Sequence, residues 1–518
     1  MLSIGIDLGT TNSVVCVYQK GMTEIIQIDG KTTVPSVVYF DNKTIKIGEK
    51  AKKQVLIHPE LTLSSMKRHM GKKYSQKILH KNFTPVDVAY HILSYLKNES
   101  EKILGEHISN VVITIPAYFD DQQRKDTKDA AERAGLNVLR LIPEPTAAAI
   151  AYGLDKEKDQ QILVFDLGGG TFDVSILDVQ NNNFTVKSVD GNSKLGGDDF
   201  DNEIVNYLND WIENNSNQSA RGNSHAQQRL KEEAEKIKID LSQSKYTSIS
   251  IPAILEGIDI EIEKFTRKDF QKLLHPYLKE IVKKTNDVML NTGMSIEDIN
   301  RIVMVGGSSK NPLIQELITD NFKMPYRADD MDSYVARGAA IICARLLLPV
   351  EPHKNNLPID LNFSDVIPHS LGVGLLNESD QLTFFPILKR NEAYPKSAAV
   401  LAIRAYIAQE IIRIQIFRGE NNNPTKNTPL GAIEMVISKE YIGVDIPLVF
   451  PCVFELDENG ILTFTAFEIP VNPSNKEEMK ELLEEYGNND RVSFQRIQSL
   501  QKKYNYRTQR IKVTESLQ

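Results

Sequence analysis

The stretch DLGGGTFD at residues 166–173 decides the fold, because it joins two apolar runs through a glycine-rich turn. The run at residues 163–165 precedes it and the run at residues 174–177 follows it. Two such runs around a short polar turn predict a β-hairpin. Backbone N–H groups of the turn can wrap phosphate oxygens, and an aspartate at a strand end can hold Mg²⁺ or its waters.

A second copy of this pattern lies near the start of the chain. Residues 6–13 read IDLGTTNS, with an apolar strand before the turn and a β-rich run at residues 14–17 after it. Internal similarity of this kind indicates a duplicated architecture, and two facing copies would clamp one polyphosphate. A third apolar strand at residues 302–305 ends in another glycine turn and leads into a helix near Pro312. No Gly-x4-Gly-Lys-Ser/Thr sequence occurs, which excludes a P-loop.

The rest of the chain shows a change of organisation. Strand 111–115 and helix 122–134 indicate α/β order, and a long charged helix at 229–241 follows a loop at 216–224. A Pro/Asn-rich link follows residue 348, after which short alternating strands predict a small all-β domain. From Asn475 on, apolar residues return at helical spacing on a charged background.

The composition bounds the class of protein. A chain of 518 residues predicts roughly three to five domains. Its 41% hydrophobic and 25% charged residues are those of a soluble globular protein and exclude a collagenous, disordered or membrane-embedded chain. The 61 basic and 69 acidic residues give a net charge of −8, so we expect neither a nucleic-acid nor a membrane partner.

Cysteine usage and the first residues predict the compartment. Cys16, Cys343 and Cys452 form no CxxC pair, which suits a reducing compartment and gives no zinc framework. The first segment lacks a basic region and carries Asp7 within its apolar run, so we interpret it as a strand rather than a signal peptide. We therefore expect a cytoplasmic protein.

Six motifs in this order resemble those of the DnaK-type heat-shock chaperones, from about residue 2 to about residue 470. They are IDLGTTNS at 6–13, IPAYF at 115–119, EPTAAA at 144–149, DLGGGTFD at 166–173, LGGDDFD at 195–201 and VGGSS at 305–309. Residues 384–387 (FFPI) and the short tail look closest to the specialised bacterial HscC-type branch.

The resemblance implies an α/β, actin-like fold. Residues 1–350 would form a duplicated, ribonuclease-H-like ATPase domain of two lobes, and residues 351–364 an interdomain linker. Residues 365–470 would form a β-sandwich that binds extended peptides, and residues 471–518 a truncated helical lid or tail. ATP hydrolysis would control the binding and release of apolar segments of unfolded or specific client proteins.

The resemblance also implies catalytic residues. Lys67 would orient the attacking water, Glu144 and Asp166 would position metal waters or the nucleophile, and Thr171 would bind the γ-phosphate.

The implied cofactors are ATP or ADP with Mg²⁺, and K⁺ is a further candidate ion. Asp7 and Asp173 would hold the hydrated Mg²⁺. The nucleotide would contact a larger set of residues, which are Gly9, Thr10, Thr11, Asn12, Gly168, Gly169, Gly170, Gly196, Gly197, Glu235, Lys238, Ser242, Gly306, Gly307, Ser308, Lys310 and Asp332.

Coupling and partner residues follow from the same resemblance. Pro116 and Arg124 match a proline switch and an arginine relay, and Leu361, Phe363 and Asp365 lie in the linker region. The peptide groove would contain Val373, Leu376, Ala405 and Ile412. The implied partners are client polypeptides and a J-domain co-chaperone, and a nucleotide exchange factor is a further candidate.

Two departures from the family pattern leave alternatives open. Lys310 stands where the family commonly places an arginine over the adenine, and the linker alternates apolar with polar residues. These departures favour a non-cycling nucleotide-binding regulator or scaffold, whereas retention of Lys67 and Thr171 argues against it. A small-molecule kinase on the same fold is the other alternative, but the sequence offers no evident sugar site.

Overall fold

The structure is a computed structural model that describes residues 2–153, 159–326, 331–347, 361–376, 381–404, 407–445, 448–471, 475–489, 492–493, 495–499 and 508–509. Within these residues the chain forms two compact units, Met1–Asp365 and Val366–Gln518. The first unit contains two lobes with separate hydrophobic cores. None of the described helices is both long enough and apolar enough to cross a bilayer.

The first lobe is a mixed sheet covered by helices. Its five main strands run in the order β11-β10-β1-β2-β3, with β1, β10 and β11 parallel and β2 antiparallel to β1 and β3. The strands are β1 (Ser3–Asp7), β2 (Asn12–Gln19), β3 (Met22–Ile25), β4 (Val34–Pro35), β5 (Val37–Phe40), β6 (Ile45–Ile47), β7 (Thr62–Ser64), β8 (Gln76–Ile78), β9 (Lys81–Phe83), β10 (Asn110–Ile115) and β11 (Asn137–Pro143). The helices are α1 (Glu49–Lys52), α2 (Pro85–Leu104), α3 (Asp121–Arg133) and α4 (Glu144–Gly153).

The second lobe repeats this arrangement. Its sheet contains the order β17-β12-β13-β14, with β12 parallel to β17 and antiparallel to β13, and β14 antiparallel to β13. The strands are β12 (Gln160–Leu167), β13 (Phe172–Gln180), β14 (Asn183–Asn192), β15 (Tyr246–Leu255), β16 (Ile258–Thr266) and β17 (Arg301–Val305). The helices are α5 (Gly197–Asn215), α6 (Ser224–Gln243), α7 (Arg267–Leu273), α8 (His275–Thr292) and α9 (Pro312–Asn321), and α10 (Tyr334–Leu347) returns to pack on β1.

Both predicted hairpins are present, and most predicted helix ends are close to the observed ones. α3 begins where Asp120 and Gln123 form a capping box. The helix predicted at 229–241 begins earlier, at Ser224, because the Asn223 side chain accepts the Ala226 N–H at 3.0 Å and caps it. The loop expected at 216–224 is therefore shorter than its Asn/Ser/Gly-rich composition suggested.

The second unit is a β-sandwich. One sheet has the order β20-β19-β23-β24, and the other has the order β28-β22-β25-β26-β29, with β27 paired to β25. Alternate side chains of both sheets form one apolar interior. The elements are β18 (Asn362–Val366), β19 (Leu371–Leu376), β20 (Leu382–Leu388), β21 (Ala393–Tyr394), β22 (Lys396–Ile403), β23 (Ile411–Arg418), β24 (Thr428–Val436), β25 (Leu448–Leu456), β26 (Leu462–Phe467), β27 (Ile469–Pro470), α11 (Lys476–Asn489), β28 (Val492–Ser493) and β29 (Thr508–Gln509), and β18 begins in the first unit.

The tail differs from the expected helical lid. It contains α11 and a helical turn at 495–499, but β28 pairs with β22 and β29 pairs with β26, so its described part is only partly helical. Met479 and Leu482 of α11 are buried with Ala399 and Leu401 of β22. Ala399 and Leu401 alternate along β22 with residues that face the sandwich interior, so α11 covers the outer face of the β22 sheet. It does not lie over the other sheet, which contains the predicted groove strands β19 and β23.

This packing predicts that α11 stabilises the sandwich. Replacing Leu482, which is completely buried, by alanine is expected to destabilise the second unit by about 2–5 kcal/mol, because a cavity would form against β22. Thermal unfolding of the full chain followed by circular dichroism would measure this change. Lys480→Ala on the exposed side of the same helix is the matched control. Equal melting of the two variants would contradict the packing role.

Candidate functional site

A cavity of about 400 Å³ lies in the first unit, where the turns after β1, β12 and β17 converge. It brings together most of the residues predicted from the sequence. They are Asp7, Gly9, Thr10, Thr11, Asn12, Lys67, Glu144, Asp166, Gly168, Gly169, Thr171, Gly197, Glu235, Lys238, Gly306, Gly307, Ser308, Lys310 and Asp332.

Four of the residues predicted to bind nucleotide or metal do not line this cavity. Gly170 packs behind the lining against Thr10, and Gly196 packs against Gly169. The Ser242 hydroxyl donates to the carbonyl oxygen of Lys238 at 3.0 Å, as part of its own helix. Asp173 is almost completely buried.

The two duplicated turns touch each other across the cavity. Gly169 approaches Thr11 so closely that a Cβ at residue 169 would lie 1.8 Å from the Thr11 Oγ1. Only glycine fits this contact. On the other side, the Ser36 hydroxyl donates to the Gly9 carbonyl oxygen at 2.8 Å and holds the first turn. Residues of both turns thus line the same cavity and contact each other there.

Three buried carboxyl groups, those of Asp7, Asp166 and Asp173, lie close enough to Glu144 for its charge to affect their pKa values. Burial raises the pKa of Asp7 to about 7, and the nearby Glu144 carboxylate adds to the rise. Burial and Glu144 likewise raise the pKa of Asp173 to about 8. The pKa of Asp166 is raised well above its usual value by burial and by the surrounding carboxylates. Such a cluster favours a bound cation, which would offset the repulsion.

The donor set fits a hydrated Mg²⁺ ion. Among the described residues, no three metal-ligating side chains are close enough together to hold a metal ion directly. Mg²⁺ commonly keeps several waters and binds through one or two carboxylates together with substrate phosphates. Asp7 and Asp173 are fixed for such a role, because Thr114 Oγ1 donates to Asp7 at 2.9 Å and the Tyr118 N–H donates to Asp173 at 3.1 Å.

Lys67 and Glu144 form a buried ion pair at the cavity. The Lys67 Nζ lies 2.7 Å from the Glu144 Oε1, and the side chains are only 7% and 9% exposed. The ammonium also lies 5.5 Å from the centre of the Phe119 ring. Glu144 is the first residue of α4, and Lys67 lies in a 3-10 helix, Met66–His69. Two elements of the first lobe therefore place one cation and one anion beside the turns.

Charged pairs also line the α6 side of the cavity. The Lys238 Nζ lies 2.7 Å from Asp201 and donates to the Gly197 carbonyl oxygen at 3.1 Å. Glu235 lies 3.7 Å from Lys52 of the first lobe. Lys310 forms an ion pair with Asp332. This wall is polar and presents both signs of charge.

A contact between the two lobes, which the sequence motifs did not predict, joins residues 65 and 68 to the start of α5. The Ser65 hydroxyl donates to Asp198 at 2.6 Å, and the Arg68 guanidinium binds both carboxylate oxygens of Asp199 at 2.8 Å. Both aspartates lie in the first turn of α5. They belong to the LGGDDFD motif, and Arg68 directly follows Lys67. The motifs therefore contained these residues, but they did not indicate that the residues join the two lobes.

The linker residues lie along an edge of the second lobe. β18 pairs in parallel with β14, opposite Phe184 at Phe363, and Leu361 is buried. The Arg140 guanidinium lies 5.3 Å from the Phe363 ring. Phe363 thus belongs to an edge strand added to the sheet of the second lobe, and the buried Leu361 directly precedes this strand.

One short contact path connects this edge with the cavity through α4, and a second set of hydrogen bonds surrounds Phe119. The Thr146 hydroxyl donates to the buried Asp365 at 2.6 Å, and Thr146 lies in α4 close to Glu144. The buried Arg124 donates from Nε to the Phe119 carbonyl oxygen at 3.0 Å. The Phe119 N–H in turn donates to the carbonyl oxygen of Pro116 at 3.1 Å.

Two of the four predicted groove residues have described side chains, and both lie inside the sandwich. Val373 and Ile412 are both buried in the sandwich interior. Leu376 ends β19, and Ala405 lies outside the described residues. In this conformation a peptide cannot reach Val373 or Ile412.

Two duplicated lobes whose glycine turns meet over buried carboxyl groups define an actin-like nucleotide-binding fold, here followed by a β-sandwich. A comparison with protein-family models matches residues 3–516 to the family described as Hsp70 protein. The chain belongs to the Hsp70 family. Proteins of this family are ATP-dependent chaperones that bind ATP or ADP with Mg²⁺, client polypeptides and J-domain co-chaperones.

Proposed function

We propose that this chain hydrolyses ATP in the cavity of the first unit and couples hydrolysis to peptide binding by the sandwich. The observation that supports the proposal most directly is the buried Lys67–Glu144 pair beside two glycine turns and a carboxyl cluster. Transfer of a phosphoryl group to water needs positioning and charge neutralisation more than covalent chemistry. The residues around the cavity are of the types that supply both.

Each group has a role in this proposal. The backbone amides of the two turns and the Thr171 hydroxyl bind phosphate oxygens, and Lys67 neutralises the γ-phosphate and orients the water. Glu144 and Asp166 position either the waters of the metal ion or the attacking water. When bound, Mg²⁺ neutralises charge on the phosphates, and Asp7 and Asp173 would hold its water shell.

The added edge strand supports coupling to the sandwich. The α4 helix starts at the candidate catalytic residue Glu144 and also presents Thr146 to Asp365. A nucleotide-dependent movement of α4 would therefore strain or release the hydrogen bond to β18. Pro116 and Arg124 would act through Phe119, which lies against Lys67.

The finer parts of the proposal concern partners and branch. We propose apolar segments of client polypeptides and a J-domain co-chaperone as partners, a cytoplasmic location and an HscC-type place within the family. Opening of the sandwich would have to expose Val373 and Ile412 before a peptide could bind there.

A non-cycling nucleotide-binding regulator is the second candidate. The burial of Val373 and Ile412 favours it, because a closed sandwich needs no peptide cycle. The regulator candidate predicts that the chain binds ATP and that peptides do not change its rate of ATP hydrolysis.

One experiment separates the two candidates. ATP turnover of the full chain is measured with and without short apolar peptides, alongside peptide binding in ATP and in ADP. The chaperone proposal expects turnover to rise with peptide and Asp365→Ala to reduce that rise, since the Thr146 contact is lost. Ser364→Ala in the same strand is the matched control. A rate of ATP hydrolysis that stays the same when peptide is bound would contradict the coupling.

A further inference from the structure

A buried ion pair lies beside the candidate metal carboxylate Asp173. The Lys284 Nζ of α8 lies 2.9 Å from the Asp190 Oδ1 of β14, and the two side chains are 19% and 7% exposed. Neither residue lines the cavity. A buried ion pair is weak support for stability, since desolvation offsets its attraction, so its position raises the question of another role.

The pair fixes one neighbour of Asp173. Gly191 lies directly opposite Asp173 in the antiparallel pair of β13 and β14. A Cβ on Gly191 would lie 2.8 Å from the Asp173 Oδ1, so the backbone of residue 191 bounds the carboxyl group. The Gly191 N–H donates to Asp190 Oδ1 at 2.7 Å, and this is the oxygen that Lys284 also binds.

The pair also contacts the other neighbour. The Tyr118 N–H donates to Asp173 Oδ1 at 3.1 Å, and the Tyr118 ring centre lies 5.7 Å from the Lys284 Nζ. Lys284 therefore contacts Tyr118 directly and Gly191 through Asp190. The Lys284 ammonium therefore contacts, directly or through Asp190, the two residues whose backbone lies against the Asp173 carboxyl group.

We propose that Lys284 and Asp190 are positioning residues that hold the Asp173 carboxylate in place for the hydrated Mg²⁺. Neither residue would touch the ion or the nucleotide. The inference rests on the proposed function, because it assigns the pair to the metal side of the same cavity. Groups that orient a metal-binding carboxylate contribute strongly to metal affinity even when they do not bind the metal.

The sign of the effect distinguishes positioning from charge. Removing the Lys284 cation makes the surroundings of Asp173 more negative, which by Coulomb attraction alone would strengthen Mg²⁺ binding. Loss of positioning acts in the opposite direction, because the carboxylate no longer lies where the ion's water shell requires it. Without Lys284 the Asp190 carboxylate also favours the protonated form of Asp173, which by itself weakens Mg²⁺ binding. A higher Mg²⁺ requirement is therefore specific to positioning when it persists in the Asp190→Asn, Lys284→Met double variant, which removes both charges.

The test uses the full chain with Lys284→Met. We expect the Mg²⁺ concentration for half-maximal ATP turnover to rise roughly 10-fold or more, with a lower kcat at saturation. Binding of ADP without Mg²⁺ should stay unchanged. Glu280→Gln is the matched control, because Glu280 lies one turn earlier on α8 and binds Asn192 at 2.7 Å instead of Asp190. Lys284→Arg should retain the wild-type Mg²⁺ response.

Other outcomes would overturn the inference. An unchanged or lower Mg²⁺ requirement in Lys284→Met means that the pair does not position Asp173. If that variant does not fold, the Asp190→Asn, Lys284→Met double variant carries no unpaired carboxylate at residue 190, and a wild-type Mg²⁺ requirement there would refute the proposal. Calorimetric titration of Mg²⁺ with ADP makes the same comparison without turnover. A wild-type chain that binds Mg²⁺ with ADP but does not hydrolyse ATP would contradict the proposed function alone.

Discussion

Replacing Lys67 by alanine is expected to lower ATP turnover by roughly 10²- to 10³-fold while ATP still binds. Lys67 is the buried cation at the cavity, 2.7 Å from Glu144, and its charge would meet the negative charge that develops on the transferred phosphoryl group. The nucleotide retains the turn amides and the contacts on the α6 wall. The loss therefore falls on kcat more than on nucleotide affinity. Single-turnover hydrolysis and fluorescent-nucleotide titration measure the two quantities separately.

The Lys67 variant needs a control for stability, because it leaves Glu144 as a buried anion without its cation. Breaking a buried pair in this way can cost about 3–5 kcal/mol. Lys67→Met with Glu144→Gln removes both charges and should fold, yet remain inactive. Lys72→Ala, at an exposed lysine of the same segment, should hydrolyse ATP normally. Near-normal turnover in Lys67→Ala would show that this residue has no catalytic role.

Thr171 offers an independent check of the same site. Thr171→Ala is expected to reduce hydrolysis by at least about 10-fold, since the hydrogen bond that we propose between the Thr171 hydroxyl and the γ-phosphate would be lost. The residue lies in the turn that contacts Thr11, and it leaves no buried charge when replaced. Loss of nucleotide binding together with turnover would instead indicate a structural role for the turn.

The duplicated fold could be predicted because its signals are local. The two hairpins depend on short apolar runs around glycine turns, and both lie where their sequence predicts them. Their meeting in one cavity followed from the internal repeat. Half of the residues that line the cavity were named from the sequence, chiefly through the resemblance of its motifs to those of a known family, even though they come from distant parts of the chain.

What the sequence did not reveal depends on contacts between distant residues. Arg68 and Asp199 are 131 positions apart, and no local pattern joins them. The same is true of Lys284 and Asp190. In the sequence they are one charged residue of a helix and one of a strand, and nothing indicates that they form a pair. The helical spacing of Met479 and Leu482 predicted an apolar face correctly, but it could not say which sheet that face would cover.

Replacing Asp173 by asparagine is expected to abolish Mg²⁺-dependent turnover and to stabilise the metal-free first unit above neutral pH. The folded pKa of Asp173 is about 8 and that of Asp7 about 7, against an ordinary value of 3.8. Between pH about 4 and 8 the folded chain therefore binds protons that the unfolded chain has released. The free energy of unfolding falls as pH rises through this window, and the full loss is present above the folded pKa.

The measurement is urea unfolding of the full chain with EDTA at several pH values from 5 to 8.5. The chain has one tryptophan, Trp211 in α5, so its fluorescence follows the first unit. We expect Asp173→Asn to flatten the decline and to raise the stability at pH 8.5 by on the order of 2 kcal/mol or more. Adding Mg²⁺ with ADP to the wild type should weaken the decline as well, because the ion favours the carboxylate form in the folded state. Asp320→Asn, at an exposed aspartate of the same unit, should leave the decline unchanged. If the stability of the metal-free chain does not fall between pH 5 and 8.5, the carboxyl groups of the cluster do not repel one another in the folded state. The electrostatic argument for a cation at this site would then be wrong.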